Sequence, residues 1–105
     1  MKRARPYSQT LKRILHDPHM AIGYLNTALA EGDFDAFLVA LRDVAEVHGG
    51  IGRLAQHSRL NRGNLYKIFS EGGNPEIKSL GRILKTLRLH FSVVRDDPRR
   101  LHPAA

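Results

Sequence analysis

Apolar positions recur at three- and four-residue intervals through most of the chain, which predicts amphipathic helices rather than strands. The clearest series is Phe34, Phe37, Leu38, Leu41, Val44, Ala45 and His48. Before it, Ile22, Leu25, Ala28 and Leu29 form a shorter stripe with Tyr24 beside it. After it, Ile51, Leu54, Ala55 and Ser58 make one inward face, and Leu65, Ile68 and Phe69 make another. Ile77, Leu80, Ile83, Leu84 and Leu87 form the last. Only His90–Arg95 alternates, with β-branched residues, and reads as a short strand whose edges need a partner.

Local stop and start signals bound these helices. Asp17 before Pro18 is an N-cap followed by a proline at the first helical position, and Gly32 ends that helix. Asp33 caps the next, which runs to about His48, where Gly49 and Gly50 redirect the chain. Residues 58–61 supply a tight turn with Leu60 as an apolar plug and Asn61 as N-cap. Ala55 is small where the two flanking helices would press together, the requirement of a helix-turn-helix over 51–69. Ser70–Pro75 is a loop by composition; Asn74 can cap, and Pro75 can open, the closing helix. The organisation expected is a basic, flexible arm over 1–16, one helical domain over 17–95, and a disordered tail over 96–105.

Charge placement changes the picture. The net charge of +7 divides unevenly: residues 1–16 carry five basic side chains and no acid, 17–48 are net −5, and 51–90 are net +6. The basic third coincides with the two-helix motif, as expected of a nucleic-acid face. Placing Leu65 inward puts Gly63, Asn64, Tyr66 and Lys67 on the opposite side, with Arg62 at the helix start. Arginine and asparagine match base edges; lysine and tyrosine reach phosphates. Gly63 weakens its helix, and close approach to a partner surface is one reason to keep it. Lys78, Arg82 and Lys85 add a basic stripe on the closing helix. The DNA-contacting set is therefore Arg53, Asn61, Arg62, Gly63, Asn64, Tyr66, Lys67, Asn74 and Lys78. The arm residues Lys2, Arg3 and Arg5 either track phosphates or form an unstructured end. The acidic middle is either a solvated surface or a binding face.

Other chemistries find little support. There is no cysteine, hence no disulfide framework and no thiol chemistry. The longest apolar run, Ala36–Leu41, is far short of a membrane span, and no apolar stretch follows the basic start as a secretory signal would require. His16, Asp17 and His19 resemble a metal pair, but Asp17 serves better as a cap; His48 and His57 read as packing or surface residues. No hydrolase, P-loop or zinc-protease motif is present, so neither enzyme activity nor a cofactor is expected. Tyr66 is the lone aromatic on the basic face, which argues against single-strand RNA binding. A cytoplasmic location is expected.

The run GGIGRLAQHSRLNRGNLYKIFSEGGNPEIKSLGRILKTL, with YLNTALAEGD before it, resembles the helix-turn-helix antitoxins known as addiction-module antidote proteins, related to Xre/HigA-like repressors. LYKIFSEGGNP is its most specific part, and the resemblance covers about residues 20–95. Arg59 stands where the family's turn usually has glycine, so a non-glycine residue must take positive φ; Ser58 stands where an apolar residue is commoner. The resemblance implies an all-α, lambda-repressor-like fold, here a five-helix bundle with a short C-terminal strand. It implies a repressor of operator DNA near its own genes, with Asn61–Phe69 as recognition helix, and a RelE/ParE-type toxin as partner. A homodimer is expected, since one motif offers limited DNA contact. The alternative is a stand-alone, prophage-type regulator without a toxin.

Overall fold

A computed structural model describes residues 9–97, which form six helices: α1 (Gln9–Leu15), α2 (Pro18–Ala30), α3 (Phe34–Val47), α4 (Gly50–Ser58), α5 (Arg62–Ile68) and α6 (Ile77–Thr86). The basic arm at Lys2, Arg3 and Arg5 and the tail from Pro98 lie outside the described residues.

Three helix starts arise from the caps the sequence advertises. Asp17 accepts from the backbone N–H of His19 at 2.9 Å, Asp33 from Ala36 at 3.0 Å and Asn61 from Asn64 at 2.6 Å. Each satisfies a donor that the first helical turn leaves open. Gly32, at φ +74°, closes α2, and Gly49 and Gly50, at φ +116° and +83°, swing the chain from α3 into α4.

Two groups of helices share one core. On one side α1 and α2 pack on α3; on the other α4 packs against α3, α5 and α6. Leu15, Leu41, Val44, Leu65 and Ile83 are the largest side chains fully withdrawn from solvent, one or two from each of four helices, α1, α3, α5 and α6. Across the first group the Tyr24 hydroxyl donates to Asp43, a buried carboxylate. At the base of α1, a carbonyl can only accept, so Nε2 of His48 donates to the oxygen of Leu15 at 2.9 Å. The His16 ring meets that of His48 edge-on.

Several expectations need correction. The helices number six among the described residues, not five, because residues 9–15 coil and dock. Leu11 is half-buried and Leu15 fully buried, an i, i+4 pair hidden among basic neighbours. The 90–95 strand does not form: residues 89–97 carry no regular structure, and no other described segment is a strand for it to pair with. The inner stripe of α2 is Ala21, Leu25 and Ala28, whereas Ile22 and Leu29 face solvent; turning Tyr24 towards Asp43 sets that rotation. Phe34 and Ile77, first residues of their helices, project beyond the bundle and are exposed. α6 opens at Ile77 with Glu76 in the capping position, not at Pro75 with Asn74 as cap. An Asn-Pro pair could cap as Asp17-Pro18 does, but Gly73, held against the carbonyl oxygens of Lys67 and Ile68, ties this loop to the end of α5, and the helix begins two residues later.

The C-terminus of α6 is closed by Arg88 at φ +65°. Its N–H bonds the oxygen of Lys85, and the N–H of Leu89 bonds that of Leu84, at 2.9 and 2.8 Å. This paired closure ordinarily uses glycine at the position Arg88 holds. It reverses the chain, and the Phe91 ring comes back to within reach of Gly81 on α6.

Candidate nucleic-acid interface

α4 and α5 are joined by the three-residue turn Arg59–Asn61. Ile51, Leu54 and Ser58 hold α4 to the core, and Leu65 and Ile68 hold α5. Arg59 takes φ +65°, the strained conformation expected where glycine is usual. Leu60 is buried as the plug, and its N–H bonds the buried Ser58 hydroxyl at 3.2 Å. Ser58 thus supplies the acceptor that closes this turn, which an apolar residue there would not.

With Leu65 completely buried, the other side of α5 is open. Arg62, Gly63 and Lys67 are exposed, Tyr66 is 55% exposed, and Asn64 is half-buried. Asn61 is exposed too, but its amide oxygen is committed to the Asn64 N–H. Its amide nitrogen, with two donors, and the second lone pair of that oxygen remain open. A methyl placed on Gly63 would meet nothing nearer than that oxygen, at an ordinary 3.4 Å. Nothing inside the fold demands glycine there.

The two ends of α5 gather different residues. At its start the Arg62 guanidinium lies across α4 at Gly52, where a Cβ would sit 2.7 Å from Nη2. Arg53, exposed, is the next residue, and its stem folds over Gly49. Gly52 thus leaves room for the Arg62 side chain, while Ala55 is half-buried against the core. At the other end, Gly73 is pressed onto the carbonyl oxygens of Lys67 and Ile68. That contact brings the exposed Asn74 beside the last turn of α5. Lys78, Arg82 and Lys85 are all exposed on α6. Among the described residues no group of three or more His, Cys, Asp or Glu side chains is placed to hold a metal ion.

Residues 6–95 match the family described as probable addiction module antidote proteins. The chain belongs to that family. An antidote implies a toxin that it counters, so a toxin partner comes with the membership. A relative in Haemophilus influenzae strain Rd is 34% identical over 70 residues, covering 67% of this chain and 71% of its own, and is described only as an uncharacterized protein. No solved structure matches this antidote chain. No described helix of it is long and apolar enough to cross a membrane.

Proposed function

We propose that the chain is the antitoxin of a type II toxin–antitoxin module, a sequence-specific DNA-binding repressor of its own operon that neutralises a RelE/ParE-like toxin. It acts by binding in the cytoplasm and catalyses nothing. The observation that carries the DNA half is the division of α5: Leu65 and Ile68 are buried while Arg62, Gly63, Tyr66 and Lys67 stand open, all within the basic third of the chain. In this reading α4 and α5 are a helix-turn-helix whose second helix enters the major groove. Arg62 and Asn64 read bases, and Lys78 and Arg53 hold phosphates.

A single motif covers few base pairs, so two copies on half-sites about 34 Å apart are part of the proposal. Residues 90–95 supply the means. Val93 and Val94 are 97% and 77% exposed and Phe91 is partly so. In this reading the segment pairs with its twin, each covering the other's open edge.

A mobility-shift series on the DNA upstream of the gene tests the reading. Affinity should fall by about a thousandfold between 50 and 200 mM salt if some six phosphates are contacted. Arg62→Ala should narrow the gap between operator and random DNA, and Lys78→Ala should weaken both alike. Salt-independent binding, or none, would remove the repressor assignment.

A further inference from the structure

The family membership gives this chain a toxin to bind, and one further surface is shaped for it. An apolar groove of about 680 Å³ runs between α1, α2 and α3, in the helix group remote from α5. Its floor is built from buried Leu15, Ala28 and Ala40, and its walls include Ile14, Met20 and Tyr24. Ile14 and Met20 are 39% and 50% exposed, hydrocarbon left facing water at the rim. Tyr24 is held in place by its bond to Asp43, so that wall is set before anything docks.

Gly23 adds a second, independent observation. It lies in the middle of α2 and lines the groove. Glycine weakens a helix interior, and here the fold gains nothing from it: φ is ordinary and a Cβ would meet no atom within 4 Å. Glycine here leaves that stretch of the α2 wall without a side chain, so another backbone has room to approach it closely.

Charge specifies the partner. Glu31 lines the groove, Asp33 and Asp35 follow at the same α2–α3 corner, and all three are exposed. Residues 17–48 contain one arginine against six acids, of which only Asp43 is buried. We propose that this groove seats an amphipathic helix of the toxin, its apolar side on Leu15, Ala28 and Ala40, its backbone passing Gly23, and its lysine or arginine flank at Glu31. The exposed carboxylates of Glu31, Asp33 and Asp35 call for such a basic flank by charge complementarity. Seating a helix in a groove also leaves α5 open, so DNA and toxin can be held together. This proposal rests on the antitoxin reading above.

The test uses the full chain with the toxin encoded beside its gene, in a binding titration, with operator mobility shift and thermal melt as controls. Gly23→Trp fills the groove without entering the core. It should weaken toxin binding by about a hundredfold or more, as loss of a central contact does, and leave melt and operator binding unchanged. Gly23→Ala puts a methyl in the path of the passing backbone and should weaken binding by about tenfold, less than Gly23→Trp, and Glu31→Lys should weaken binding about tenfold. Undiminished toxin binding by Gly23→Trp would overturn the groove assignment while the antitoxin reading stood. If wild type itself bound no toxin, both would fall. If Gly23→Trp abolished self-association and spared the toxin, the groove would belong to a second copy, and the proposal would be wrong.

Discussion

The hydroxyl of Tyr24 donates to Oδ2 of Asp43 at 2.7 Å, joining α2 to α3 across nineteen positions of sequence. Asp43 is 6% exposed, so its carboxylate depends on protein donors in place of water. Tyr24→Phe removes one of them and should cost about 1.5–3 kcal/mol, the range for a hydrogen bond to a charged group. Urea denaturation would measure it as a lower midpoint at unchanged slope. A midpoint equal to wild type would show that the bond adds no net stability.

Two glycines near α5 should respond in opposite directions. A Cβ on Gly73 would run into the backbone oxygen of Ile68, which cannot swing aside as a side chain can. Gly73→Ala should therefore destabilise by about 1–3 kcal/mol through overpacking. Gly63→Ala meets only ordinary contact and should stabilise by up to about 1 kcal/mol. The same Gly63→Ala should weaken operator binding if the helix backbone approaches the duplex. Thermal melts paired with mobility shifts separate these effects.

Arg59 and Arg88 both hold φ +65°. An L-residue loses about 1–2 kcal/mol in that conformation relative to its preferred ones, and glycine does not. Arg88→Gly should raise stability by about 1 kcal/mol, a rise in Tm of about 4–8 °C for a domain of this size. Arg59→Gly should do the same, with a fall in DNA affinity from the lost charge. An unchanged or lower Tm for Arg88→Gly would mean that the arginine stem contributes packing that offsets its strain.

Val93 is almost wholly exposed and sits at the centre of the irregular C-terminal segment. If that segment pairs with its twin, Val93→Lys should place two like charges near each other and shift the chain from dimer to monomer. Sedimentation at micromolar concentration would read the change. A dimer that persists in Val93→Lys with undiminished affinity would move the interface onto the helices.

The features legible without a structure were those decided within a few residues. The caps at Asp17, Asp33 and Asn61 work because a short polar side chain reaches its own backbone two or three positions on. The left-handed Arg59 followed from the resemblance, in which glycine usually holds that place in the turn. The division of α5 into buried Leu65 and Ile68 and exposed Arg62, Gly63 and Lys67 followed from helical period alone. What the chain by itself could not decide lies further apart in sequence. Residues 9–15 look like a basic arm until Leu15 finds the core and its carbonyl finds His48, thirty-three positions away. Gly52, Gly73 and Gly23 look alike as letters. Only packing shows that an arginine crosses the first, a helix end presses on the second, and open space lies over the third. Asp43 reads as one more solvated acid until Tyr24 closes over it. Local rules act on neighbours along the backbone, whereas burial and approach depend on which distant segments arrive, and the folded arrangement alone supplies them.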